Sequence, residues 1–172
     1  SLPKLHNDFN SGPYWIVLIA LVVLSSYTYL TTNFTQVKPP DAPLAMVGPQ
    51  NNFVVLATHL TESDTPRQTT LEITWQTLHP IEFDDNVFFQ ALSGNDAALT
   101  VVAQLDRQPL EGKRPATSWQ PGEIFTDTYR LDLPATTPQR GLRYYFGYYD
   151  WRNGVRLPVD GGIDDKLVFH GR

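Results

Sequence analysis

The chain has 172 residues, 13 Lys+Arg against 18 Asp+Glu, a formal net charge of −5 and no cysteine. That length suits one domain plus an appendage. A mildly acidic chain without a basic stripe lacks the electrostatic footprint of a nucleic-acid binder, and without thiols there are no disulfides, thiolate nucleophiles, Fe–S clusters or Cys-type zinc sites.

In chain order, residues 1–12 read as a short N-terminal arm, too small to be a domain. No charged residue falls between Asp8 and Lys38. Within that window Tyr14–Leu30 reads YWIVLIALVVLSSYTYL, which with its flanks is about 17–21 residues, or roughly 26–31 Å of helix, the thickness of a bilayer's hydrocarbon core. The spacing predicts a transmembrane helix over 13–32. Leu18, Leu21 and Leu24 lie in its apolar body, while Tyr14 and Trp15 at one end and Tyr27 and Tyr29 at the other form the interfacial belt. A buried core helix of this length would carry a polar stripe. Ser25-Ser26 followed by Tyr-Thr-Tyr-Leu makes a poor signal-peptide cleavage site. Residues 33–51, with Lys38-Pro39-Pro40-Asp41-Ala42-Pro43, read as a stiff polyproline-like linker.

From residue 52 to 172 short β-rich runs alternate with turn signals. Phe53–Leu60 is the first run. Leu71, Ile73 and Trp75 alternate with Thr70, Glu72, Thr74 and Gln76 at a period of two. Asn86–Leu92 is apolar on both faces, as a central strand is, and Leu99–Leu105 forms a further run. Phe125, Tyr129, Leu131 and Leu133 share one face of a strand, and Leu142, Tyr144, Phe146 and Tyr148 share one face of the next. Gln120-Pro121-Gly122-Glu123 reads as a type II turn, and Asn153-Gly154 as the type I′ tip of a hairpin. Seven or eight strands at this spacing predict a mainly β fold, an antiparallel two-sheet immunoglobulin-like sandwich behind the N-terminal helix.

Three segments, TLEITWQTLHPI (70–81), SWQPGEIFTDTYRLDLP (118–134) and RYYFGYYDWRNGVRLPVDG (143–161), resemble the extracytoplasmic C-terminal β-sandwich module of bacterial membrane glycosyltransferases that use lipid-linked sugars. The likeness covers about residues 69–170. It implies a β domain on the periplasmic side of a bacterial inner membrane. Those enzymes keep their catalysis in a many-span portion, whereas this chain shows one span, so the resemblance carries over no catalytic residue.

Little in the sequence points to chemistry. His6, His59, His79 and His170 show no metal-ligand spacing, and no serine sits in a Gly-x-Ser-x-Gly elbow. Asp84-Asp85 and Asp164-Asp165 are adjacent carboxylates, which on a strand point to opposite faces and form no acid–base pair. The loop Val159–Asp165 offers oxygens but misses the EF-hand spacing. No cofactor is expected. The aromatic cluster is the most suggestive feature: with Tyr144, Phe146 and Tyr148 assigned to the core, Tyr145, Tyr149 and Trp151 become candidate contacts for a protein partner or a glycan. The expectation is a non-catalytic, single-pass membrane subunit of a larger complex, of the kind photosynthetic and respiratory assemblies carry, with integral membrane proteins and the lipid bilayer as partners. The alternative is a carbohydrate-binding or glycosyltransferase-associated envelope module.

Overall fold

The computed structural model describes residues 43–172 apart from positions 96 and 139. The expected N-terminal arm and the expected transmembrane helix, with Tyr14, Trp15, Leu18, Leu21, Leu24, Tyr27 and Tyr29, lie outside the described residues. Among the described residues no helix is long and apolar enough to cross a membrane.

Among the described residues ten strands follow one another: β1 (Ala45–Val47), β2 (Phe53–Asp64), β3 (Arg67–Thr77), β4 (Asn86–Asn95), β5 (Ala98–Arg107), β6 (Ile124–Asp132), β7 (Arg143–Asp150), β8 (Val155–Arg156), β9 (Val159–Asp160) and β10 (Leu167–His170). They form two antiparallel sheets, one ordered β6-β3-β2-β1-β9 and the other β10-β7-β4-β5, with β8 pairing β7 as well. The expected mainly β, two-sheet fold is what the chain adopts. The connection from β5 to β6 carries two short 3-10 turns, Pro109–Gly112 and Ala116–Ser118.

The period of two explains which faces meet. In β3 the inward row is Thr69, Leu71, Ile73, Trp75 and Thr77, all buried. Tyr129 and Leu131 of β6 extend that wall, because Leu71 pairs with Tyr129 and Thr69 with Leu131. From the other sheet Tyr144, Phe146 and Tyr148 of β7 and Val87, Phe89 and Ala91 of β4 join the same core. Trp75 is at its centre. Its ring lies 5.6–6.4 Å from those of Tyr148 and Phe146 across the sheet gap, within the range where tilted aromatic pairs attract. The expectation for Asn86–Leu92 also holds: β4 runs between β7 and β5, and Phe88 is buried on the face opposite Val87 and Phe89.

Two expectations need correction. The segment 33–51 does not stay linker to its end, because Ala45 and Val47 are buried and β1 pairs with both β2 and β9. A three-residue strand is too short to display a period. The hairpin between β7 and β8 is not a two-residue type I′ turn. Asp150 pairs with Val155, leaving a four-residue loop, and of Asn153 and Gly154 only Gly154 has positive φ (+74°). The Gln120–Glu123 turn is as expected: the Glu123 N–H donates to the Gln120 carbonyl at 3.0 Å and Gly122 takes φ +92°, the left-handed value that a type II turn demands at its third position.

Candidate interaction surface

The three aromatic candidates do not form one row. Tyr145 and Tyr149 both face outward from β7, on either side of Gly147. By register Tyr145 lies between Gln90 of β4 and Val168 of β10, and the Lys166 ammonium sits 5.4 Å over its ring. The Tyr149 hydroxyl accepts a hydrogen bond from Asn86 Nδ2 at 3.3 Å. Both rings are half-buried. β7 ends at Asp150, so Trp151 leaves the strand's alternation and belongs to the hairpin loop, where it is 58% exposed.

That loop is built around Asp150. One carboxylate oxygen accepts from the Arg152 backbone N–H (2.9 Å) and Nε (2.6 Å), and the other from the Arg152 guanidinium (2.8 Å) and Asn153 Nδ2 (2.9 Å). Asn153 in turn accepts from the Val155 N–H at 2.8 Å, and the Gly154 N–H closes onto the Asp150 carbonyl at 2.7 Å. Charge-assisted hydrogen bonds to a carboxylate are the stronger kind. Hydrogen bonding from Arg152, working against a small desolvation, holds the Asp150 carboxyl below its ordinary value. The hairpin therefore holds its shape while it presents Trp151 and Val155, each 58% exposed, to the outside.

Beside the hairpin lies a cleft of about 270 Å³. Its walls come from three places far apart in sequence: the β1–β2 loop at Pro49–Asn52, the β3–β4 loop at Pro80–Asp85, and the hairpin through Asp150 and Arg152. The Arg152 guanidinium stands 3.7 Å above the Phe83 ring, a cation–π contact. The adjacent carboxylates lie in the β3–β4 loop, not on a strand, and have separate surroundings. Asp84 accepts the Thr117 N–H at 2.9 Å and so secures the Ala116–Ser118 turn. Asp85 faces the cleft, where its Oδ1 is shielded from solvent and has no hydrogen-bond partner among the described residues. Burial first, and the Asp150 charge second, push the Asp85 carboxyl above its ordinary value, with Arg152 countering only in part.

A raised carboxyl pKa is stabilising only while the group is protonated, and that contribution is lost as pH rises through the folded-state value. At pH 7 the environment of the Asp85 carboxyl therefore works against folding. Asp85→Asn is expected to raise the thermal midpoint at pH 7, and the gain should shrink as pH falls through the raised folded-state value and be gone below the ordinary aspartate value of 3.8. Thermal scans at the two pH values check this.

A second, shallower hollow of about 370 Å³ lies on the outer face of the β10-β7-β4-β5 sheet. There Gln90 Nε2 donates to Gln104 Oε1 at 2.8 Å and Gln104 donates onward to Asp106, beside Tyr149. Arg156 closes one side, its guanidinium 4.1 Å above the Phe88 ring and 3.5 Å from Asp165. The other acidic pair is engaged by neighbours or solvent, with Asp165 on Lys166 at 3.0 Å and Asp164 exposed. Among the described residues no three or more His, Cys, Asp or Glu side chains are arranged to hold a metal ion.

Fold and surface together define a two-sheet antiparallel β domain with a rigid aromatic hairpin and an adjoining acidic cleft. No protein-family model, curated protein or solved structure matches the chain.

Proposed function

We propose that the chain is a non-catalytic, single-pass membrane subunit that helps hold a larger membrane protein complex together, its β domain standing on the periplasmic side of a bacterial inner membrane. The reading joins two things: the uncharged, ring-bordered stretch at 13–32, and an immunoglobulin-like arrangement of the sandwich. For the latter, the support is that β6 pairs with β3 in one sheet while β7 pairs with β4 in the other, the crossed pairing on which a Greek-key reading rests. The complex is of the kind that carries electron transfer in photosynthesis or respiration, where single-span subunits pack beside integral membrane proteins.

One observation carries the reading, the 58% exposed Trp151 on a hairpin already fixed by Asp150. Tryptophan is the residue most enriched among binding hot spots, and a contact loop ordered before binding loses little entropy on association. In mild detergent extracts of the native membrane the chain is expected to co-purify with integral membrane proteins. Trp151→Ala should weaken that association by about thirtyfold or more, with the unfolding midpoint unchanged because the ring lies outside the core. A wild-type chain that runs alone under these conditions would refute the proposal.

The second reading, a glycan-binding envelope module, draws on the outer-face hollow. Tyr149 supplies a ring beside the Gln90–Gln104–Asp106 chain of amide and carboxylate groups, the pairing of stacking surface and hydroxyl-binding polar groups that sugars require. Retention on immobilised envelope polysaccharide, lost in Tyr145→Ala and Tyr149→Ala but kept in Trp151→Ala, would favour it over the first.

A further inference from the structure

The β7–β8 hairpin carries the chain's only Asn-Gly pair, Asn153-Gly154, and both residues are exposed. An asparagine side-chain amide can be attacked by the backbone nitrogen of the next residue, and a following glycine, with no Cβ, leaves that nitrogen unshielded. Here the approach is open, since a Cβ built on Gly154 would meet nothing within 4 Å. The comparable pair Asp160-Gly161 is closed: Asp160 pairs with Met46 in the sheet, and a Cβ on Gly161 would stand 2.8 Å from the Leu44 carbonyl oxygen. The Asn153 amide is also polarised. Its Oδ1 accepts from the Val155 N–H at 2.8 Å, a donor aimed where negative charge gathers when the amide carbon is attacked. The Asp150 carbonyl accepts the Gly154 N–H at 2.7 Å and must release it first, so the reaction is slow and tracks the age of the chain.

We propose that Asn153-Gly154 is a self-modification site at which Asn153 converts to aspartate and isoaspartate, and that the conversion loosens the hairpin presenting Trp151. In the first step the Gly154 nitrogen bonds to the Asn153 Cγ and gives up its proton to solvent base. The Cγ–Nδ2 bond breaks, the nitrogen takes a proton from water and leaves as ammonia, and a cyclic imide remains. Water then opens the imide. Cleavage of the Cγ–nitrogen bond gives aspartate, and cleavage of the bond to the backbone carbonyl gives isoaspartate, with the chain now running through Cγ. The net change is one water consumed and one ammonia released, with no oxidation or reduction. The consequence follows from Asp150. Asn153 Nδ2 donates to its Oδ2 at 2.9 Å, and the product puts a second carboxylate where that donor stood. Like charges at this spacing repel. Isoaspartate also lengthens the backbone inside a loop whose ends are fixed by the Asp150–Val155 pair. The effect on partners rests on the subunit reading above.

The test ages the purified full chain in detergent micelles and follows each asparagine by peptide mass spectrometry, with enzymatic isoaspartate methylation as the second readout. Asn153 is expected to convert ahead of the asparagines at 51, 52 and 86, faster as pH rises, with isoaspartate among the products. Asn153→Gln should abolish the isoaspartate signal from the hairpin. Asn153→Asp reproduces one product directly. It should speed hydrogen exchange at the Arg152–Val155 amides with the unfolding midpoint unchanged, and weaken co-purification with integral membrane proteins about fivefold. Conversion of Asn153 no faster than that of the other three asparagines, or wild-type exchange in Asn153→Asp, would overturn the proposal. Co-purification separates the two levels. If Trp151→Ala breaks the native complex while Asn153 stays intact on ageing, the modification falls and the subunit reading stands. If Asn153 converts and loosens the hairpin in a chain that has no partner, the modification stands and the subunit reading falls.

Discussion

Replacing Asp127 by leucine is expected to destabilise the β domain by about 3–5 kcal/mol, the size of effect seen when one member of a buried ion pair is removed. Asp127 lies in the core-facing row of β6, only 7% exposed. Its two oxygens accept from the Arg107 guanidinium at 2.9 and 3.0 Å, from the Leu110 N–H at 2.7 Å and from the Thr128 N–H at 2.8 Å. Arg107 comes from β5 in the other sheet. It also donates to the Thr128 carbonyl at 2.9 Å and lies 4.1 Å above the Tyr129 ring. The pair thus clamps the two sheets together along the side where β5 and β6 are both edge strands. Arg107→Met should cost less, about 2–3 kcal/mol, since Asp127 keeps two backbone donors. The double variant Arg107→Met/Asp127→Leu should cost less than the sum, because no unpaired charge remains, yet more than nothing, because the Leu110 and Thr128 N–H groups lose their acceptor. Urea unfolding of the full chain in detergent, followed by tryptophan fluorescence, measures all three.

The pH dependence of the same pair has the opposite sign from that of Asp85. Burial pushes the Asp127 carboxyl up, but hydrogen bonds from Arg107 and the Leu110 N–H outweigh it and hold the group below its ordinary value of 3.8. A lowered carboxyl pKa contributes stability that is complete above the unfolded value and lost as pH falls through the folded one. The difference between wild type and Asp127→Leu should therefore be constant at neutral pH and shrink only below about 3.8.

Sequence pattern reached the long strands and missed what is assembled at a distance. Leu71, Ile73 and Trp75 in β3, and Tyr144, Phe146 and Tyr148 in β7, were legible because each row has enough residues to show its period. β1, β8, β9 and β10 are two to four residues long and exist because a neighbouring strand supplies their hydrogen bonds. Asp127 interrupts an otherwise apolar row, and only Arg107, folded back from another sheet, makes it tolerable there. The residue types at the candidate surface were visible in Tyr145, Tyr149 and Trp151, but their grouping was not, since β7 ends one residue before Trp151. The Asn-Gly pair pointed to a hairpin correctly and to its turn type incorrectly: the Asp150 carboxylate binds donors on Arg152 and Asn153 and stabilises a longer loop than local preference favours. The cleft had no local signal beyond Asp84-Asp85, because its walls meet only after three separate loops converge.

The second large effect is expected at Trp75, where truncation to alanine should cost about 3–5 kcal/mol. A domain of this kind has only about 5–15 kcal/mol in total, so the variant stands near its unfolding threshold. Trp75 is fully buried. Its ring lies within 6.4 Å of six others, those of Phe53, Trp119, Phe125, Tyr129, Phe146 and Tyr148, which come from both sheets and from the connection before β6. Trp75→Phe is the informative companion. It keeps an aromatic ring and deletes an indole N–H that finds no acceptor among the described residues, so part of the cavity cost is offset and about 1–2 kcal/mol is expected. The functional consequence runs through Tyr148, whose ring rests on Phe53 at 4.5 Å and on Trp75 at 5.6 Å, two residues before Asp150. With that support loosened, Trp75→Phe should remain folded and yet expose the hairpin amides of Arg152–Val155 to faster hydrogen exchange than in wild type. Unchanged exchange there would mean that Asp150 alone sets the hairpin's shape, independent of the core beneath it.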